Sequence, residues 1–142
     1  MGILHFSDGQ RGIIYIVWDD VVTWQAWLNQ IEKITSDPLW QSSHRFLADL
    51  RSVTDTSTIG LAEVAEAVKA FSADRNSLLY KRGAVIALNE FVRARTFADL
   101  LARFGTSVVI FNNLDTACLY LGLDVLETGR MLKGLRRQLR GE

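Results

Sequence analysis

The chain has 142 residues, 49% of them apolar, and Lys+Arg 16 against Asp+Glu 16 leaves no formal net charge. These figures describe one globular domain that buries its own core, and they argue against a dedicated nucleic-acid module, which carries a basic excess. No apolar run approaches the roughly 18 residues of a membrane span, the opening Met-Gly-Ile-Leu-His lacks a secretory-signal pattern, and a single Cys excludes an internal disulfide framework and a Cys-rich zinc site, pointing to a reducing, cytoplasmic setting.

In chain order, residues 4–7 and 12–18 are short apolar or β-branched stretches separated by Asp8-Gly9-Gln10-Arg11, and Asp-Gly between such stretches signals a hairpin. Residues 13–18 do not alternate with polar side chains, so both faces of that strand should be covered. Asp19 and Asp20 then offer a helix cap, and Val21, Trp24, Trp27, Leu28, Ile31 and Ile34 recur at helical spacing up to Pro38, which ends the helix. Residues 45–50 read as a strand, residues 51–58 as a polar stretch, and Leu61, Val64, Ala65, Val68 and Phe71 as the face of a second helix. Residues 83–88 form the next strand, with Asn89 as cap for a third helix whose face is Phe91, Ala94, Phe97, Leu101 and Phe104, closed by Gly105. Residues 106–111 are the last strand, and Asn112-Asn113-Leu114-Asp115 opens a short helix that Gly122 stops.

Strands alternating with helices demand crossover connections. The expected fold is therefore α/β: a single domain over residues 1–122, with an N-terminal hairpin, a mainly parallel sheet of about four or five strands and about four or five helices. Residues 123–142 form a separate basic amphipathic helix, with Leu132, Leu135 and Leu139 on one stripe among Arg130, Lys133, Arg136, Arg137 and Arg140; it docks on the sheet or on a partner.

Asp19, Asp20 and Asp49 fall near the C-terminal ends of strands, where open α/β sheets place ligands. A phospho-acceptor domain uses such a layout, but the hydroxyl and lysine it needs on later strands are missing, and helix capping together with an Asp49–Arg51 pair is the plainer account. His5, His44 and Cys118 have no partner at metal-ligand or nucleophile spacing. No phosphate-loop, nucleotide-binding, nucleophile-elbow or zinc-protease motif occurs, so no catalytic residue, cofactor or metal is expected. Trp24 and Trp27 bury a large aromatic area, as core or as the wall of an apolar ligand pocket. Asp55-Thr56-Ser57-Thr58-Ile59-Gly60-Leu61 is a hydroxyl-rich segment opening a helix after a strand. Ser57 or Thr58 either caps that helix or receives a phosphate, which would add about −2 charge in one step.

That segment, in this order of elements, resembles the STAS domain and within it the SpoIIAA-like group of small bacterial proteins, related to anti-sigma factor antagonists. Asp55, Ser57, Gly60 and Leu61 give a stretched version of the Asp-Ser-Ser-Gly-Leu loop, with Thr58 and Ile59 intervening. Leu47-Ala48-Asp49-Leu50-Arg51, Arg82-Gly83-Ala84-Val85-Ile86, Arg95, and Val109-Ile110-Phe111 followed by Ala117-Cys118-Leu119-Tyr120-Leu121 extend the resemblance over residues 12–122. It implies a non-enzymatic signalling module that docks a kinase-like or anti-sigma-like protein, with Asp49, Arg51, Asp55, Thr56, Ser57 and Thr58 as the switch and partner-binding residues. The group has also been likened to a lipid-carrier fold, so the alternative is a carrier or sensor of a small apolar, lipid- or quinone-like ligand held at Trp24 and Trp27. Nucleic acid is not an expected partner, and a homodimer is left open.

Overall fold

The Asp8-Gly9 hairpin joins β1 (Gly2–Asp8) to β2 (Ile13–Val21), with Leu4 opposite Val17 in an antiparallel register. The Asp8 carboxylate accepts the backbone N–H groups of Gln10 and Arg11, which closes the turn. The structure, a computed structural model, describes residues 2–73, 78 and 80–142. Helix α1 (Trp24–Ser36) is capped by Thr23, whose hydroxyl accepts the N–H of Ala26 at 3.1 Å. Asp19 and Asp20 therefore do not cap it. They stay in β2, where the Asp19 carboxylate is engaged by an arginine from the far end of the chain. Helix α1 stops at Ser36, ahead of Pro38, and with Asp37 as cap the proline then starts a short helix, α2 (Pro38–Ser42), because a first helical residue needs no N–H.

Strand β3 (Arg45–Asp55) continues through the polar stretch that reads as a loop, then leads to α3 (Leu61–Phe71), β4 (Arg82–Ile86), α4 (Phe91–Ala102), β5 (Ser107–Phe111), α5 (Leu114–Leu121) and α6 (Val125–Leu139). The strands lie in the order β1-β2-β3-β4-β5; β1 runs antiparallel to β2 and the other neighbours pair in parallel. The sheet is thus mixed rather than mainly parallel, and among the described residues α2 makes six helices.

Because β2 to β5 advance in one direction across the sheet, right-handed crossovers set their connecting helices on one face. That face buries Ile14, Ile16, Trp18, Phe46, Ala48, Leu50 and Val85 under α1, α3 and α4. The opposite face buries Ile13, Tyr15, Val17, Leu47, Ala84 and Ile86 under Ala117 and Leu121 of α5 and Leu132 and Leu135 of α6. This double cover is why β2 carries an unbroken apolar run. The helix beyond residue 122 docks on the sheet. Gly83 is required where β4 passes Phe46: a Cβ there would lie 2.1 Å from the ring Cζ. Among the described residues, no helix is long and apolar enough to cross a membrane.

Candidate functional site

The face under α1, α3 and α4 does not close completely. A cavity of about 70 Å³ remains between a sheet floor of Ile16, Trp18, Phe46, Ala48, Leu50 and Val85 and a roof that includes Trp27, Phe71, Ala94 and Phe97. The rings form a connected series: Trp18 and Trp27 meet edge-on at 5.0 Å, Trp27 and Phe97 at 5.9 Å, Phe97 and Phe71 at 5.9 Å, and Phe71 and Trp40 at 5.6 Å. Large flat side chains from four helices and two strands cannot tile without gaps where their neighbours are small, and Ala48 and Ala94 are the small residues here.

Charge enters this lining through Glu90 and Arg93 at the start of α4. Thr56 donates to Glu90 Oε2 at 3.0 Å, Arg93 Nη1 donates to the same oxygen at 2.8 Å, and Arg93 Nε donates to the carbonyl of Ile59, itself a lining residue. Residues 55–60 thus form a strap across the end of the cavity. The strap is tied on every side. Val22 N–H donates to the Asp55 carbonyl at 3.0 Å, Trp24 N–H to the Thr58 hydroxyl at 2.9 Å, and Ile59 N–H to the Thr56 carbonyl at 2.9 Å.

The hydroxyls read from the sequence as crowning a helix stand ahead of it. Gly60 is the N-cap of α3, and its N–H donates to Glu63 Oε1 at 2.9 Å, so neither Ser57 nor Thr58 caps the helix. Thr56 is 5% exposed and turned inward to Glu90. Thr58 spends its oxygen on the first turn of α1. Ser57 is exposed, in a turn closed by its N–H donating to Asp55 Oδ1 at 2.8 Å; that bond and the serine side chain hold the Asp55 carboxyl below its usual range. Trp27 lines the cavity, whereas Trp24 stands outside the lining, edge-on to Trp27 at 5.8 Å.

Asp49 and Arg51 belong to the opposite face and do not join the strap. Asp49 is fully buried, which removes it as a docking contact. Its Oδ1 accepts the Arg51 backbone N–H at 3.0 Å and Nε at 2.9 Å, and its Oδ2 accepts Arg51 Nη2 at 2.8 Å and Arg136 Nη2 at 2.7 Å. Burial pushes its pKa up, but the Arg51 side chain and N–H and the charge of Arg136 outweigh burial and leave it below the usual range. Asp19, 1% exposed, is gripped by both Nε and Nη2 of Arg140, whose hydrogen bonds bring its carboxyl down to about 2. The carboxylates expected at a ligand-binding edge are therefore the anchors of α6.

The remaining candidates are structural. His5 Nδ1 lies 2.6 Å from Gln30 Nε2, Cys118 is buried with its thiol pushed up by that burial, and among the described residues no cluster of His, Cys, Asp and Glu could hold a metal. Lys81 is buried with its ammonium over the Trp40 ring, 4.4 Å from the centroid, donating to the carbonyls of Trp40 and Ser43; burial pulls it down to about 8. Sequence reasoning missed Trp18, Trp40, Phe46, Phe71, Phe97, Glu90 and Arg93 as lining. Glu90 and Arg93 look like an ordinary surface pair three residues apart on a helix; no local signal marks them. What the geometry defines is an α/β domain with an aromatic chamber under a tethered strap. No family model, curated protein or solved structure matches the chain.

Proposed function

We propose that the protein is a non-enzymatic binding module for a small, uncharged apolar molecule, acting as its sensor or carrier. The observation that carries this reading is the chamber itself: about 70 Å³ of space walled by indole and phenyl rings. A water molecule needs only about 10–15 Å³ but also polar partners, and apolar cavities of roughly 150 Å³ admit benzene. The chamber exceeds the first size and falls short of the second, so it fits a ligand of few heavy atoms as it stands and a single aromatic ring after rotation of a neighbouring side chain. Glu90 is committed to Thr56 and Arg93, and Arg93 to Glu90 and Ile59. An acidic or strongly hydrogen-bonding ligand would have to break those bonds; an apolar one gains about 25 cal/mol for each Å² removed from water and breaks none.

The strap supports the sensing role, because Thr56 and Ile59 touch the chamber's polar end while Ser57 faces outward. A partner that reads the strap would read occupancy. The exposed Ser57 hydroxyl also supports a second reading, the regulatory module suggested by the resemblance to anti-sigma factor antagonists. There a phosphate on Ser57, beside the Asp55 carboxylate, changes the docking surface for a protein partner.

Toluene and indole, titrated against the protein with intrinsic tryptophan fluorescence and thermal unfolding as readouts, test the primary reading. The wild type should show a saturable fluorescence change and a rise in Tm that follows ligand concentration. Ala48→Leu, which fills the chamber, should fold and show neither. A wild type that ignores both probes, or a variant that responds equally, rejects the chamber as a binding site.

A further inference from the structure

Strand β5 is an edge of the sheet, and among the described residues none pairs with its outer side. The N–H of Ser107 donates to the Lys81 carbonyl at 3.0 Å, and the Phe111 carbonyl accepts from Ala87 at 2.9 Å. In a parallel ladder this alternation turns the backbone groups of residues 107, 109 and 111 toward β4. Val108 and Ile110 consequently direct their N–H and C=O groups away from the sheet, and among the described residues these outward groups have no hydrogen-bond partner. Edge strands are ordinarily protected by charges, proline or a bulge. Ser-Val-Val-Ile-Phe contains no charge and no proline, and it pairs with β4 in unbroken register from Ser107 to Phe111. The other edge, β1, carries His5, Ser7 and Asp8. Val109, at the middle of this strand, is 36% exposed.

We infer that β5 is the contact between two copies of this chain, paired antiparallel about a two-fold axis through Val109. With that axis, Val108 of each copy faces Ile110 of the other, and these two residues are the ones whose N–H and C=O groups point outward, so donors meet acceptors without a register shift. Val109 meets Val109 in the close, non-hydrogen-bonded position, and Ser107 meets Phe111. No like charges face each other across the axis, and the exposed Val109 of both copies lies at the joint. A charged peptide would find no opposite charge on this strand; the matching strand is the neutral, apolar one the chain itself supplies. An isologous contact of this kind closes on itself and does not propagate into fibres.

The test is the solution mass of the full chain by light scattering during gel filtration, on dilution into the micromolar range. The wild type should have twice the chain mass. Val109→Lys and Val109→Glu, each placing like charges across the axis, should halve it while leaving the circular dichroism unchanged, and mixing the two variants should restore the doubled mass. Should the variants fail to fold, hydrogen exchange on the wild type decides: the Val108 and Ile110 amides are protected in the doubled species and exchange freely once dilution halves the mass. A wild type of single-chain mass at every concentration overturns the inference. So does a Val109→Lys protein of doubled mass, or a doubled wild type whose Val108 and Ile110 amides exchange freely.

Discussion

At Asp49 a carboxylate without solvent access collects hydrogen bonds from the Arg51 backbone, the Arg51 guanidinium and Arg136. Isolated, such a charge would be expelled or neutralised on burial. Here every lone-pair direction is met by a donor, and two cations outweigh the desolvation. Removing the acceptor strands those cations. Breaking a buried pair costs about 3–5 kcal/mol, and the low end applies because Arg51 and Arg136 both reach water through part of their length. Asp49→Ala should therefore lose about 3 kcal/mol in urea unfolding, and Asp49→Asn, which keeps one acceptor oxygen, should lose less. Equal stability of Asp49→Ala and the wild type would mean that the network contributes nothing net. The Asp49–Arg51 pair is legible in the sequence, since the two residues share a strand face two positions apart. Arg136 is not, because it arrives from a helix 87 residues further on.

Among the elements, α6 is the one whose basic residues acquire a role its sequence does not show. A narrow Leu132, Leu135 and Leu139 stripe amid arginines leaves docking on the sheet or on a partner equally open; the structure has it on the sheet, with Arg136 and Arg140 as pins that reach Asp49 and Asp19. The same contacts explain why β3 runs on to Asp55: Ser52, polar in the sequence, donates to the Trp18 carbonyl and receives Arg136 Nε. The helices with strong apolar periodicity and the hairpin were readable because the forces that shape them are local. Caps failed where two candidates competed, as Thr23 displaced Asp19 and Asp20 at α1, and Gly60 with Glu63 displaced the hydroxyls at α3. The Arg140 pin carries a pH signature. Arg140 lowers the Asp19 carboxyl from 3.8 to about 2, so the unfolded chain binds that proton first; the stabilisation is complete above pH 3.8 and lost as pH falls through about 2. Amide exchange in the last turns of α6 should accelerate over that window in the wild type. In Arg140→Gln it should already be fast at neutral pH and show no such step. An α6 equally protected in both proteins would contradict the pin.

On the scale of the whole molecule, the sheet divides two interiors of different character. The face under α5 and α6 is closed mainly by aliphatic residues and fixed at its rim by ion pairs, whereas the face under α1, α3 and α4 is walled by rings and keeps a chamber. Composition and periodicity reveal that both faces are covered and that Trp27 points inward. They cannot reveal a void, which is the volume left over after side chains from seven elements have been placed, nor a strap whose ties run to β2, α1 and α4. The most direct test of the account is a methyl-detected NMR titration of the alanine-labelled protein with toluene. The Ala48 and Ala94 methyls, which line the chamber, should shift and saturate together, while Ala117 in the opposite interior stays in place. Uniform small shifts at all three, or none at Ala48 and Ala94, would show that the chamber does not take up an apolar ligand.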